Sequence, residues 1–271
     1  MTKTMRRFIR HLTVGWLLWA ASSVMAAAQG HASFGPFFGR RIVVLRDITP
    51  SFARHIEEAN REIVKIIKSL GPGDEVVVAD VGPDFDPARS VVIQCTMPEL
   101  PANIGVVPSN LIELSQKQRQ LDRVWLATTQ AQAKMIAYFT SKVQTRPGGT
   151  LLEPALLYAA KRLSLTEDSQ KTAYLIILSD LKTEKGRTAT GRPPQRAIQF
   201  NGAEIQVLLA PWDSAGWGQI ESAWKNWFLL QGHAKNFRIF DTAESLIARP
   251  LPPSPAPHRL PSPFSTARKQ E

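Results

Sequence analysis

Short apolar runs alternate with longer amphipathic segments through most of the chain. Each run is rich in β-branched or other large apolar residues and ends at polar or turn-forming residues, as do strands buried on both faces of a parallel sheet. The runs lie at residues 42–45, 75–79, 173–178, 204–209 and 237–240. This alternation predicts an α/β fold, a doubly wound and mostly parallel sheet with helices on both faces.

One further run, residues 90–95, predicts a strand of the opposite direction. It follows strand 75–79 after a short link that contains Gly82, Pro83 and Asp84. A link of this length suits a hairpin and is too short for a parallel crossover. We therefore expect residues 90–95 to form an antiparallel strand at the edge of the sheet.

Apolar residues that recur at intervals of three and four predict the helices. The first helix runs from Ile56 to Leu70 and ends at Gly71. Residues 109–143 contain neither Pro nor Gly, which predicts one long helix or two abutting ones. Three further helices are expected: one with Pro154 in its first turn, a short one near 195–200, and one at 217–230.

Four tryptophans cluster late in the chain. Trp217 and Trp224 share a helical stripe with Phe228, which predicts core residues. Trp227 is expected outside this stripe, and Trp212 is expected near the rim of the site described below.

A basic stretch followed by an apolar run opens the sequence. Basic residues between Lys3 and Arg10 precede apolar residues 14–25, and small side chains follow. This order is typical of a secretory signal peptide, which we expect to be cleaved after Ala28. The apolar run is well short of the roughly 20 residues that span a bilayer. We expect a periplasmic or secreted bacterial protein without a membrane span in the mature chain, the alternative being an uncleaved anchor.

The sequence divides into four parts. Residues 1–28 are the expected signal peptide, and residues 29–39, which mix Gly and Pro with three Phe, are an N-terminal leader. Residues 40–248 are the expected globular domain. Residues 249–271 contain seven prolines, which predicts a disordered or polyproline tail.

Composition narrows the classes of partner. The chain carries a net charge of +10, and four of its basic residues lie in the first ten positions. The remaining +6 (10 less 4) is spread without a dense run, so we interpret it as a solubility feature and expect no nucleic acid partner. The single cysteine, Cys95, excludes an intramolecular disulfide and any cysteine-based metal cluster.

Five residues with oxygen-bearing side chains stand in loops at strand ends. They are Asp47, Thr49, Ser51, Thr150 and Asp180. The first three follow the first strand, the fourth ends a Gly-Gly-Thr loop before a helix, and the fifth follows strand 173–178. Ligands bind at the carboxyl ends of strands in doubly wound sheets, so we expect these groups to converge. Two carboxylates and three hydroxyls without His or Cys suit an octahedral Mg²⁺ or Mn²⁺ ion.

This set resembles the metal-ion-dependent adhesion site of the von Willebrand factor A (vWA) domain. That site combines a D-x-S-x-S motif with a distant Thr and a distant Asp. Residues 47–51 fall on the first motif, Thr150 on the second element and Asp180 on the third. The resemblance covers about residues 40–248 and includes the order of elements and the antiparallel edge strand.

The resemblance implies one divalent ion, Mg²⁺ or Mn²⁺, bound directly by Thr49 and Ser51. Thr150, Asp47 and Asp180 would bind it directly or through water. One coordination position stays open in the family, and an Asp or Glu side chain of a partner protein fills it. The resemblance therefore implies a protein-binding module, used for adhesion or assembly, and not an enzyme.

The sequence departs from the family pattern at three positions. Thr49 replaces the usual Ser and keeps the hydroxyl, and Leu181 stands where a glycine commonly follows the aspartate. Arg46 places a fixed positive charge beside Asp47. Side chains alternate along a strand, so we expect Arg46 to point away from the site if Asp47 faces it.

Other interpretations use the same residues. Asp47 at the end of an apolar strand resembles the nucleophile of haloacid-dehalogenase-type phosphatases, but Thr49 stands where their second aspartate acts as acid and base. A scaffold with a vestigial site is a further alternative. Asp47, Thr150 and Asp180 each also suit a helix N-cap. The group Asp80, Asp84 and Asp86 lacks the glycine and glutamate of a calcium loop and predicts a solvated turn.

Overall fold

The computed structural model describes residues 39–102, 108–140, 145–164, 171–181, 183–185, 188–208 and 217–240. The expected signal peptide, nearly all of the leader, the Pro-rich tail and Trp212 lie outside these residues. Within the described ranges, no helix combines the length and the apolar character that a membrane crossing requires.

A mostly parallel sheet forms the centre of the domain. The strands in chain order are β1 (Arg40–Asp47), β2 (Glu75–Val81), β3 (Val91–Thr96), β4 (Thr172–Leu178), β5 (Thr183–Lys185), β6 (Thr188–Thr190), β7 (Glu204–Leu208) and β8 (Asn236–Phe240). Six of them form the sheet in the spatial order β3-β2-β1-β4-β7-β8, and β5 pairs with β6 in a separate hairpin. All neighbours in the six-stranded sheet are parallel except β2 and β3. The predicted α/β class and antiparallel edge strand are confirmed.

Helices cover the sheet as predicted, with one exception. They are α1 (Ile56–Lys68), the single turn α2 (Pro87–Ser90), α3 (Leu111–Phe139), α4 (Leu152–Ser164) and α5 (Trp217–Asn226). A 3₁₀ helix at Pro50–His55 precedes α1, and a π-helical turn at Trp227–Gln231 follows α5. Of the two alternatives for residues 109–143, the single helix is correct, because α3 is continuous over 29 residues, about 43 Å.

The short helix expected near residues 195–200 is absent from the structure. Ile198 and Phe200 are buried while Gln199 between them is exposed, which is the period of an extended chain and not of a helix. The backbone N–H of Phe200 donates to the carbonyl of Gly232 at 2.8 Å. The segment is therefore held by the end of the π-helical turn instead of by its own hydrogen bonds.

The sheet separates two apolar cores. On one face, alternate strand residues such as Val44 and Val78 pack under α1 and the end of α3. On the other face, Val43, Leu45 and their neighbours pack under α4 and α5. Burial on both faces explains why these strands are continuous apolar runs in the sequence.

The tryptophan stripe belongs to the second core. Trp217, Trp224 and Phe228 are buried as predicted. Trp227 is also buried, contrary to the expectation, because the wider π-helical turn brings both Trp227 and Phe228 against the core. The ring centroids of Trp224 and Trp227 lie 5.7 Å apart in an edge-to-face arrangement.

Ion pairs join the strands at the amino edge of the sheet. The Asp74 carboxylate accepts from the guanidinium of Arg40 at 2.6 Å. Glu75 pairs with Arg41 at 2.7 Å and with Lys171 at 2.8 Å. The hydrogen bond from Arg41 lowers the pKa of Glu75 to about 2, against the partial burial that raises it, and Lys171 also lowers it. These pairs tie β1, β2 and the start of β4 together at the end opposite to the candidate site.

Candidate metal centre

The candidate site lies where β1 and β4 end and where α4 begins. Because β1 runs parallel to both of its neighbours, the carboxyl ends of β1, β2 and β4 meet at one edge of the sheet. The chain turns after Asp47 into the 3₁₀ helix, in which Pro50 suits the first position because its missing N–H has no partner there. Thr150 precedes the start of α4 by two residues.

The side chains of the first four predicted residues form one hydrogen-bonded cluster. The hydroxyl of Thr49 donates to Oδ1 of Asp47 at 2.6 Å, and the hydroxyl of Thr150 donates to Oδ2 at 2.9 Å. The hydroxyl oxygens of Thr49 and Thr150 lie 3.0 Å apart. Those of Thr49 and Ser51 lie 3.1 Å apart. The cluster joins residues more than one hundred positions apart in the sequence, as predicted.

The local geometry of residues 47–51 explains part of this arrangement. The backbone N–H of Thr49 donates to Oδ1 of Asp47 at 2.9 Å, a turn that brings the side chains of both residues together. Thr49 occupies the N-cap position of the 3₁₀ helix but makes no side-chain cap. Its hydroxyl donates to Asp47 in the cluster instead.

The hydroxyl groups that donate to Asp47 keep lone pairs on their own oxygen atoms. A hydroxyl has one proton and two lone pairs, whereas an ionised carboxylate only accepts. When Thr49 and Thr150 donate to Asp47, their remaining lone pairs are free to face a cation. Asp47 and both threonines are buried, whereas Ser51 is exposed. The cluster is thus open to solvent on the side of Ser51.

Asp180 is buried at the end of β4, next to a residue that joins the cluster. The hydroxyl of Ser179 donates to Oδ2 of Asp47 at 2.9 Å and accepts from the backbone N–H of Leu181 at 3.1 Å. Ser179 was not among the predicted site residues. The sequence shows only a serine directly before the motif aspartate, at the end of a buried strand, which does not by itself reveal the bond to Asp47.

Leu181 adopts the backbone conformation that favours the glycine of the family pattern. Its φ is +56°, in the left-handed region that non-glycine residues rarely adopt. Its side chain is fully buried in the core under α4. Burial of the leucine side chain compensates for the strained backbone, so the loop after Asp180 keeps a glycine-like shape without a glycine.

Arg46 points away from the site, as predicted from alternation along β1. Its guanidinium is fully buried and contacts the Asp80 carboxylate at 2.7 and 2.8 Å. It also donates to Asn60 of α1, and its Cζ atom lies 5.0 Å from the ring centroid of Phe139. The pair neutralises the positive charge beside Asp47, so the departure at position 46 adds no net cation to the site.

The sequence predicted that Asp80, Asp84 and Asp86 form a solvated turn. This prediction is wrong for Asp80, which is buried, and correct for Asp84 and Asp86. Asp80 lies inside β2 opposite Arg46, which places its side chain on the same buried face. Burial raises the pKa of Asp80, and the Arg46 guanidinium opposes this rise. Asp84 and Asp86 are exposed, and the Asp86 carboxylate accepts from the N–H of Ala88 at 3.1 Å as the cap of α2.

Backbone hydrogen bonds hold the loops around the cluster together. The N–H of Ile48 donates to the carbonyl of Val81 at 3.0 Å, and the N–H of Arg146 donates to the carbonyl of Ile48 at 3.0 Å. Gly148 has a φ of +119°, and a Cβ there would lie 2.8 Å from Pro83. Only glycine fits this contact, which sets the path of the loop that delivers Thr150.

Carboxylates alone do not make the site. Among the residues that the structure describes, no three His, Cys, Asp or Glu side chains converge on one point. A metal ion bound at this cluster would therefore need hydroxyl ligands as well as carboxylates. Octahedral ligands about 2.1 Å from Mg²⁺ lie about 3.0 Å from their neighbours, and the hydroxyl separations of 3.0 and 3.1 Å match this spacing.

Comparisons with known proteins find similarity in structure and none in sequence. No family model and no curated protein matches the sequence. The pilus adhesin SpaC from Lactobacillus rhamnosus GG, in its open conformation, is similar at a TM-score of 0.45 and 12% identity. VWA2, an ArnB paralog from Sulfolobus acidocaldarius, is similar at 0.43 and 11%. Proximal thread matrix protein 1 from the mussel byssus is similar at 0.42 and 12%.

These three matches cover 78–79% of this chain but only 29%, 44% and 46% of the respective relatives. The chain thus spans less than half the length of each. At this identity the likeness concerns the arrangement of the backbone, and the character of the site rests on the residues themselves.

Proposed function

We propose that this chain is an exported vWA-type module that binds one Mg²⁺ or Mn²⁺ ion and captures an acidic side chain of a partner protein. Thr49 and Ser51 would hold the ion directly, and Asp47, Thr150 and Asp180 would hold it directly or through water. The observation that carries the proposal is the buried cluster in which Thr49 and Thr150 donate to the two oxygens of Asp47. Hydroxyls prepared in this way present lone pairs to a cation.

The charge of the site supports partner capture. Asp47 and Asp180 supply two negative charges, which balance a divalent ion, and the hydroxyl ligands are neutral. An ion with few direct carboxylate ligands still accepts a further carboxylate, because oxygen anions are the ligands that such hard cations prefer. Ser51 lies on the exposed side of the cluster, where this carboxylate would arrive.

The same geometry argues against phosphatase chemistry. Asp47 is fully buried, and hydroxyls donate to both of its oxygens. A nucleophilic carboxylate needs an approach path for the phosphorus atom and a nearby group that acts as acid and base. Thr49 occupies the position of that second group and cannot transfer protons near neutral pH.

Isothermal titration of the protein with MgCl₂ and MnCl₂ tests the proposal. We expect one ion per chain for the wild type, none for Asp47→Ala, and weaker binding for Ser51→Ala. Thr49→Ser should bind normally because it keeps the hydroxyl. Asp122→Ala is the matched control, since it removes one exposed carboxylate from α3. Normal binding by Asp47→Ala would show that the ion lies elsewhere, and no binding by the folded wild type would favour a vestigial site.

The minor alternatives have their own readouts. Hydrolysis of p-nitrophenyl phosphate that is lost in Asp47→Ala would restore the phosphatase interpretation.

Export is tested by the N-terminal sequence of the protein recovered from the periplasm or medium, for which we propose a start at Gln29. Full-length protein in the cytosol would contradict export without affecting the metal site.

A further inference from the structure

Arg146 lies beside the turn that forms part of the candidate metal centre. The backbone N–H of Arg146 donates to the carbonyl of Ile48, the residue between Asp47 and Thr49. The Cδ and Cβ atoms of Arg146 lie 3.7 and 3.9 Å from the position that a Cβ on Gly82 would occupy. The same position lies 3.9 Å from Cγ1 of Ile48, so both the backbone and the side-chain stem of Arg146 lie close to the turn that presents the hydroxyls.

The guanidinium of Arg146 is held only loosely. Its Nη1 atom lies 3.7 Å from Oδ1 of Asp84, with side-chain exposures of 38% for Arg146 and 72% for Asp84. An exposed pair at this distance contributes little stability, because water screens it and both side chains lose freedom. Arg146 can therefore exchange Asp84 for a carboxylate of an incoming ligand at little cost.

Charge balance makes this arginine important for selectivity. Once Asp47, Asp180 and one carboxylate of the ligand surround a divalent ion, no net positive charge remains to attract a second carboxylate of the ligand. Arg46, the arginine next to the site in sequence, is neutralised by Asp80 on the opposite face of β1. Arg146 adds a cation beside the turn, and a guanidinium binds a carboxylate through two parallel N–H groups.

From this arrangement we propose that Arg146 selects ligands that carry a second acidic side chain beside the one bound by the ion. The proposal rests on the proposed metal-dependent capture of a carboxylate. Side chains two positions apart lie on the same face of an extended peptide, about 6.6 Å from each other. The ligand class that we propose is an extended segment with acidic residues at positions i and i+2.

Two fluorescent peptides test this selectivity in a magnesium buffer. Both have a Gly and Ser background; one contains Asp-Ser-Glu and the other Asp-Ser-Gln. Fluorescence anisotropy gives the affinity of each for the wild type and for variants of the full protein. We expect the wild type to prefer the Glu peptide by about two- to fivefold. Arg146→Ala should lose this preference by weakening the Glu peptide alone, and Arg146→Lys should keep part of it.

Two arginine variants serve as controls. Arg123→Ala removes an exposed charge on α3. Arg123 lies sixteen residues, about 24 Å, before Phe139 at the end of this helix, a distance well beyond the length over which salt screens charges. It should behave as the wild type. Arg54 lies three residues after Ser51 on the 3₁₀ helix, where such residues share a face. A preference that disappears in Arg54→Ala and persists in Arg146→Ala would overturn the proposal.

The remaining outcomes separate this proposal from the metal site itself. Asp47→Ala should lose both peptides and magnesium together. If Arg146→Ala weakens both peptides equally, or also weakens magnesium binding in calorimetry, Arg146 supports the loop and does not select the ligand. If the wild type binds magnesium but neither peptide, carboxylate capture fails and this inference fails with it, whereas the metal site stands.

Discussion

Replacing Asp80 with Ala should cost about 3 kcal/mol of unfolding free energy, because it leaves the charge of Arg46 buried without a counter-ion. Arg46 is fully buried, and the side chain of Asp80 is 9% exposed. Breaking a buried pair by removing one partner typically costs about 3–5 kcal/mol. The contacts of Arg46 with Asn60 and Phe139 survive, which places the expected loss at the lower end.

A paired substitution isolates the electrostatic part of this cost. The double variant Arg46→Met with Asp80→Leu removes both charges and keeps apolar volume on the buried face. Apolar replacement of a buried pair is often neutral or stabilising. Asn60 loses a partner but is only partly buried, so water can satisfy its side chain. We therefore expect the double variant to lie within about 1–2 kcal/mol of the wild type.

Urea unfolding followed by tryptophan fluorescence measures these differences, since Trp224 and Trp227 are buried in the core. Asp122→Ala, which removes an exposed carboxylate of α3, should change stability by less than about 0.5 kcal/mol. A loss below about 1 kcal/mol for Asp80→Ala would show that water reaches Arg46 and refute the reasoning. So would a double variant that is less stable than Asp80→Ala.

Two further predictions concern stability. Leu181→Gly should relieve about 1 kcal/mol of left-handed backbone strain. It also removes a fully buried side chain, which costs about 2–5 kcal/mol, so we expect a lower melting temperature in a thermal melt. A higher melting temperature would mean that the strain is the larger effect. The pKa of Glu75 is lowered to about 2 in the folded state, so its pairs with Arg41 and Lys171 stabilise the fold above pH 4.5 and lose this effect as the pH falls towards 2. Glu75→Gln should flatten the acid limb of the stability curve by about 1–2 kcal/mol, after allowance for solvent screening, and an unchanged acid limb would contradict the assigned pairs.

The fold was predictable because its signals are local. Strands buried on both faces of a sheet give continuous apolar runs, and residues 42–45 and 173–178 are runs of this kind. The segment 195–200 shows the limit of this reasoning. The helix expected there disregarded the two-residue spacing of Ile198 and Phe200, which is that of an extended chain, and a tertiary hydrogen bond from Phe200 to Gly232 holds this conformation.

The convergence of Asp47, Thr49, Ser51 and Thr150 was predictable from the sequence, but the network that joins them was not. The turn of Asp47, Thr49 and Ser51 is local, whereas the contacts of Thr150 and Ser179 with Asp47 span 103 and 132 residues. No local signal distinguishes the donor role of Ser179 from that of any strand-end serine. That role becomes visible only when the order of the strands is known.

The Arg46–Asp80 pair had a signal that sequence reasoning missed. Arg40 with Asp74, Arg41 with Glu75 and Arg46 with Asp80 are opposite charges at the same separation of 34 residues. A repeated offset between opposite charges on two predicted parallel strands indicates their register, since directly opposed residues then pair. This offset would have placed Asp80 inside β2 instead of in a solvated turn.

Register also explains how β1 presents Asp47 of the candidate metal centre and an arginine at neighbouring positions. Successive side chains point to opposite faces, so Asp47 joins the hydroxyl cluster while Arg46 is buried against α1 and α3. A slip of one residue would exchange the two and put a guanidinium where the cation is proposed to bind. The ion pairs at the amino edge oppose such a slip, because they hold β1 and β2 at one offset. The position of Asp47 at the carboxyl edge of the sheet is therefore supported by charges at the other end of the strands.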